Sequence, residues 1–75
     1  MDFYTISRDR YERNENGELI KKERKYLRVT KSGRYIWMND LQRSSEFSND
    51  ESEKIIENLR RNISSRFVYH RIWQY

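Results

Sequence analysis

Apolar and polar residues alternate with a period of two along most of this chain, and aromatic or β-branched side chains fill many of the apolar positions. That pattern reads as half-buried β-strands. It predicts strands over Phe3 to Arg13, Leu19 to Thr30 with a break expected near Lys22 to Arg24, Arg34 to Met38, and Arg66 to Tyr75. Asn16-Gly17 accepts positive φ at both central positions of a type I′ turn, and Ser32-Gly33 serves less specifically at the second junction. Both read as hairpin turns.

One segment breaks the alternation. Ser48-Asn49-Asp50-Glu51 has the form of a capping box, in which the Ser48 hydroxyl and the Glu51 carboxylate satisfy each other's orphan backbone donors. After it, Ser52, Ile55, Ile56, Leu59 and Ile63 fall on one stripe at helical spacing. Asp50, Glu51 and Glu53 crowd the first turns, and Arg60 and Arg61 close the last, which complements the helix dipole. Asp50 with Lys54 and Glu57 with Arg61 are candidate i,i+4 pairs. The stripe is expected to be core.

These elements predict an α+β domain in the order β-β-β-α-β, with an antiparallel sheet of three or four strands and one helix on one face. Splitting the strands by parity sorts Ile6, Leu27, Val29, Ile36, Met38, Val68 and Ile72 onto an aliphatic face for the helix to cover. The opposite parity collects Tyr26, Arg28, Thr30, Tyr35, Trp37, Phe67, Tyr69, Arg71, Trp73 and Tyr75. That face is aromatic and basic, and a sheet surface of this kind left uncovered calls for a partner.

Composition narrows the function. The 75 residues hold 16 Lys+Arg and 12 Asp+Glu, a net charge of +4, with no cysteine and no proline. No apolar run approaches a membrane span or a signal-peptide core, so a soluble, cytoplasmic protein is expected. The absence of cysteine excludes disulfides, thiolate metal sites and a cysteine nucleophile. Residues 1–45 are net +4, residues 46–59 net −4 and residues 60–75 net +4, so the negative charge is concentrated on the helix. Eleven of the 16 basic residues are arginine, whose planar fork suits phosphates, carboxylates and aromatic faces.

No catalytic constellation is visible, and no metal or cofactor is expected. His70 is the only histidine and lacks triad or metal-ligand spacing in the sequence. The candidate binding residues are Arg24, Lys25, Tyr26, Arg28, Lys31, Arg34, Tyr35, Trp37, Tyr69, Arg71 and Trp73. Three uses of them stay open alongside a plain structural one, in which the aromatics are half-buried sheet residues and the arginines solvated edges. They are docking onto a protein or protein–nucleic-acid complex, direct binding of DNA or RNA, and closure of the face on itself in a homodimer.

The stretch Lys25 to Leu59 resembles small proteins of phages and prophages. It carries Tyr26-Leu27-Arg28-Val29, Gly33-Arg34-Tyr35-Ile36-Trp37, a link with Asp40-Leu41, Phe47 just before the capped helix, then Ser52 and Ile55-Ile56. Members of that group often have Ala at the Ser52 position, and Phe47 would sit before the N-cap and help cover the sheet. Those with known roles often bind and inhibit host machinery, including CRISPR effectors and other defence complexes. The resemblance therefore implies a non-catalytic, phage-type inhibitor or adaptor acting in the host cytoplasm. The three-strands-then-helix order is also similar to arm-type DNA-binding domains of integrases, which lay a sheet in the major groove.

Overall fold

The computed structural model describes residues 2–61 and 66–74. Its elements are β1 (Phe3–Arg13), β2 (Leu19–Val29), β3 (Tyr35–Met38), a 3₁₀ turn (Leu41–Arg43), β4 (Phe47–Ser48), α1 (Asn49–Arg61) and β5 (Phe67–Trp73). The fold is α+β, with one antiparallel sheet and the predicted element order; the two-residue β4 raises the strand count to five. Ile63 and Tyr75 of the predicted helix and last strand lie outside the described residues. Among the described residues no helix is long and apolar enough to cross a membrane.

Strand β1 is the hub. It pairs with β2 through Ser7–Arg13, with β5 through Tyr4–Arg10, and with β4 at Phe3 and Tyr4. Tyr4 faces both Phe47 and Trp73, so β4 and β5 lie on opposite edges of β1. Both run antiparallel to β1 and hence parallel to each other. The helix is thus the crossover of a split β-α-β unit with β1 between its strands.

Both hairpins turn through three residues. Gly17 N–H donates to Asn14 O and Asn14 N–H to Glu18 O, each at 3.0 Å; Gly33 N–H donates to Thr30 O and Thr30 N–H to Arg34 O, each at 2.9 Å. Only the glycines have positive φ, at 78° and 84°. This is a type I turn followed by a left-handed residue, not the type I′ turn that Asn16-Gly17 suggested.

The extra residue has a large consequence. In the first hairpin a β-bulge at Lys22, inside the expected break, restores the register, so Ile6 and Leu27 share a face as the alternation predicts. The second hairpin has no compensating bulge. A two-residue Ser32-Gly33 loop would set Leu27 opposite Met38; the three-residue loop sets Leu27 opposite Trp37 and Val29 opposite Tyr35. A one-residue slip moves every side chain to the other face. Strand β5 is likewise the reverse of expectation, with Ile6 opposite Arg71 and Thr5 opposite Ile72. The predicted all-aliphatic face is therefore not formed, and Ile36 and Val68 are about 40% exposed.

The helix covers the face carrying Ile6 and Leu27. These two, with Phe47 and Ile56, form the buried core, and Val29, Trp37, Ile55, Leu59 and Tyr69 pack around it. Each fully buried aliphatic contributes about 1.5–3 kcal/mol. The predicted stripe is on the buried side, with Ser52 and Ile56 its most enclosed members. Half of the expected capping box forms: Ser48 Oγ accepts from Glu51 N–H at 3.2 Å, but the Glu51 carboxylate accepts from the Ser48 hydroxyl at 3.2 Å and not from the Ser48 backbone N–H. Of the predicted charge pairs, Glu57–Arg61 forms at 2.8 Å and Asp50–Lys54 does not.

Candidate interaction surface

The helix does not reach the whole of its side of the sheet. Past Ile6, the next residue of β1 on that side is Arg8, and it is enclosed by rings. Its guanidinium carbon lies 4.5 Å from the Trp37 ring centre and 4.4 Å from that of Phe67. Trp37 arrives from β3 on one side of β1 and Phe67 from β5 on the other. Tyr69, directly opposite Arg8, completes the cluster at 5.9 Å from Trp37 and 6.5 Å from Phe67.

Each ring contact is worth about 0.5–2 kcal/mol, depending on how far the cation is desolvated. No acceptor among the described residues takes the N–H groups of this guanidinium. On its other side Arg8 sits directly opposite Lys25, and facing like charges are destabilising. Glu23 offsets part of this, 3.7 Å from the Lys25 ammonium. No carboxylate among the described residues pairs with Arg8. A local violation of pairing rules beside half-buried aromatics is where a function is expected to sit. Arg8 and Phe67 were not among the sequence candidates, because no local pattern reports which cross-strand neighbours surround an arginine.

The sequence candidates divide between two faces. Lys25, Tyr35, Trp37, Tyr69, Arg71 and Trp73 lie on the helix side. Arg24, Tyr26 and Arg28 lie on the other side, so the single aromatic and basic face that parity suggested does not exist. Lys31 and Arg34 occupy the exposed turn between β2 and β3. Arg71 is committed to structure: it stacks over Tyr4 at 4.6 Å, contacts Ser52 Oγ at 3.3 Å and Glu53 at 3.6 Å, and reaches Asn49 Oδ1. Trp73 is 61% exposed and donates its indole N–H to Asp2 at 3.3 Å.

On the face away from the helix, the small residues Thr5, Ser7 and Asp9 are nonetheless buried. Taller neighbours on β2 and β5 flank them: Ser7 is opposite both Tyr26 and His70. Arg24 donates to both oxygens of Asp9, at 2.7 and 2.9 Å, and His70 Nε2 lies 3.5 Å from Oδ2. The Arg24 hydrogen bonds hold the Asp9 carboxyl below the usual carboxylate range, overcoming the burial that pushes it up, and Asp9 raises Arg24 in turn.

Ser7, His70 and Asp9 are the residue types of a hydrolytic triad, brought together by two paired strands, β1 and β5, and invisible as a motif in sequence. The geometry differs from that of a triad. The Ser7 hydroxyl is fully buried and has no hydrogen-bond partner among the described residues, while the Asp9 carboxylate is occupied by Arg24. Among the described residues no group of three His, Cys, Asp or Glu is gathered to hold a metal.

No family model matches the chain, and comparison with curated proteins and with solved structures gives no significant match.

Proposed function

We propose that this protein is a non-catalytic binding module that docks onto a partner protein through the ridge formed by Trp37, Arg8, Phe67 and Tyr69. The resemblance of residues 25–59 to small phage proteins suggests the class of partner, a host nucleic-acid-processing or defence complex that the module inhibits. The observation that carries the reading is the ring-enclosed Arg8 guanidinium opposite Lys25. Tryptophan, tyrosine and arginine are the residues that dominate protein–protein hot spots. Because Arg8 already occupies a face of Trp37 and of Phe67, these rings are poor platforms for stacking bases. A carboxylate on a partner surface is the acceptor that fits its unpaired N–H groups.

A second reading, direct binding of DNA or RNA, has its own support. Arg28, Lys31 and Arg34 are exposed around one hairpin end, and no carboxylate among the described residues pairs with them. Phosphates would satisfy all three.

The test is affinity capture from host lysate, with and without nuclease, using the native chain and Arg8→Gln. The first reading expects a protein that survives nuclease treatment and is lost with Arg8→Gln. Equal capture by Arg8→Gln overturns it. Capture that disappears with nuclease, and an affinity for labelled duplex that falls with salt by about one log unit per log unit for each phosphate contacted, selects the second reading.

A further inference from the structure

The outer edge of β5 is unpaired among the described residues. Gln74 N–H donates to Phe3 O and Tyr11 N–H to Arg66 O, both at 2.8 Å. Hydrogen-bonding direction alternates along an antiparallel strand, so Val68, His70 and Ile72 turn their backbone groups toward β1. Phe67, Tyr69, Arg71 and Trp73 turn theirs away, and no described strand takes them. Among the described residues a single long side chain reaches this edge: Arg60 approaches the Tyr69 carbonyl at 3.4 Å. A groove of about 760 Å³ lies between α1 and β5, so the helix does not seal the strand.

Of the usual protections of an edge, β5 has one charged side chain, Arg71, and that is engaged with Tyr4, Ser52 and Glu53. Strand β5 has seven residues and contains no proline, lysine, acid or glycine, and its ladder with β1 runs without a bulge. The opposite edge of the sheet, β3, is only four residues long.

The sequence of β5 complements its own reverse. Phe67-Val68-Tyr69-His70-Arg71-Ile72-Trp73, laid antiparallel on itself about His70, sets aromatic against aromatic at its ends and β-branched against β-branched next to them. Tyr69 then faces arginine. From this we infer that a second copy of this chain pairs along β5 with His70 on the two-fold axis, joining two sheets into one continuous sheet. In this register every outward donor and acceptor meets its counterpart, and Val68 and Trp73, 41% and 61% exposed in one chain, gain apolar neighbours.

The alternatives are worse. An axis at Arg71 sets two guanidinium groups face to face, and an axis at Tyr69 leaves Ile72 and Trp73 unpaired. A shift by one residue brings outward groups against inward ones. This inference does not depend on the proposed function, and its readouts involve no partner protein or nucleic acid.

The chain has no cysteine, so a single introduced thiol reports the register. His70→Cys places two thiols at a non-hydrogen-bonded pair, where Cα atoms are about 4.5 Å apart, within the disulfide range of about 4.4–6.8 Å. Val68→Cys places them four residues out of register, roughly 13 Å apart. The native protein should show twice its 9.5 kDa mass in light scattering at micromolar concentration. Under mild oxidation His70→Cys should cross-link at least ten-fold faster than Val68→Cys. Val68→Lys, a substitution at an exposed position, should halve the mass while keeping a cooperative melt. A native mass of one chain up to millimolar concentration overturns the inference, as does a dimer in which the two cysteine variants cross-link at equal rates.

Discussion

Asp9 and Arg24 meet in a two-pronged ion pair that fastens β1 to β2 on the face opposite the helix, with Nε donating to Oδ1 at 2.7 Å and Nη2 to Oδ2 at 2.9 Å. The two ends are unequal: the Asp9 side chain is 1% exposed and that of Arg24 40%.

That inequality predicts an asymmetric cost. Arg24→Ala leaves a buried carboxylate with no hydrogen-bonded cation and only the weaker influence of Lys21 and His70, and should destabilise by about 3 kcal/mol. Asp9→Ala leaves a guanidinium that can swing to solvent, and should cost about 1–2 kcal/mol. Urea denaturation of both variants checks the order. Equal costs would show that the pair is merely a surface contact.

The same pair sets a pH dependence. The Asp9 carboxyl is held below its ordinary value by Arg24, so its stabilising effect is complete above the unfolded-state pKa of about 3.9 and is lost as pH falls through the lower folded-state value. Melting temperatures of the native protein and Asp9→Asn should differ at neutral pH. The gap should stay level down to about pH 4 and close below it.

The register of β3 makes a prediction opposite to that of the sequence pattern. Trp37 packs against the core and against Arg8, whereas Ile36 is 40% exposed. Trp37→Ala should cost about 3 kcal/mol and Ile36→Ala under about 1 kcal/mol. Chemical denaturation with an unchanged m-value is the measurement, and a larger loss for Ile36→Ala would mean that the hairpin turns through two residues.

The local punctuation should behave independently of the site. Ser48→Ala removes the acceptor for Glu51 N–H and should cost about 1 kcal/mol. Gly33→Ala meets no atom within 4 Å, so its cost is that of holding a left-handed residue, about 1–2 kcal/mol. Thermal melts of both single variants and the double variant should show additive losses, since the two sites share no partner.

Much of this architecture is legible in residue order. The helix cap at Ser48, the stripe through Ser52, Ile55, Ile56 and Leu59, the two glycine turns and even the irregularity near Lys22 are local features, decided by neighbours within a few positions. The candidate surface was only half visible. Trp37 and Tyr69 stand out as aromatics in basic strands, but Arg8 looks like any other strand arginine until Phe67 and Trp37 arrive from opposite sides.

By itself the sequence determined which residues alternate, where the chain turns, where the helix begins and which of its faces is apolar, because those depend on propensity and spacing along one segment. Tertiary structure alone decided which parity of β3 and of β5 shares the helix side. One residue in the Lys31-Ser32-Gly33 loop turns Trp37 inward and Ile36 outward, and the pairing of β5 with β1 is set by contacts some sixty residues apart in the chain. Period-two alternation carries no information about relative register, so the placement of Arg8 among its rings and of Asp9 under Arg24 and His70 comes from the assembled ladder.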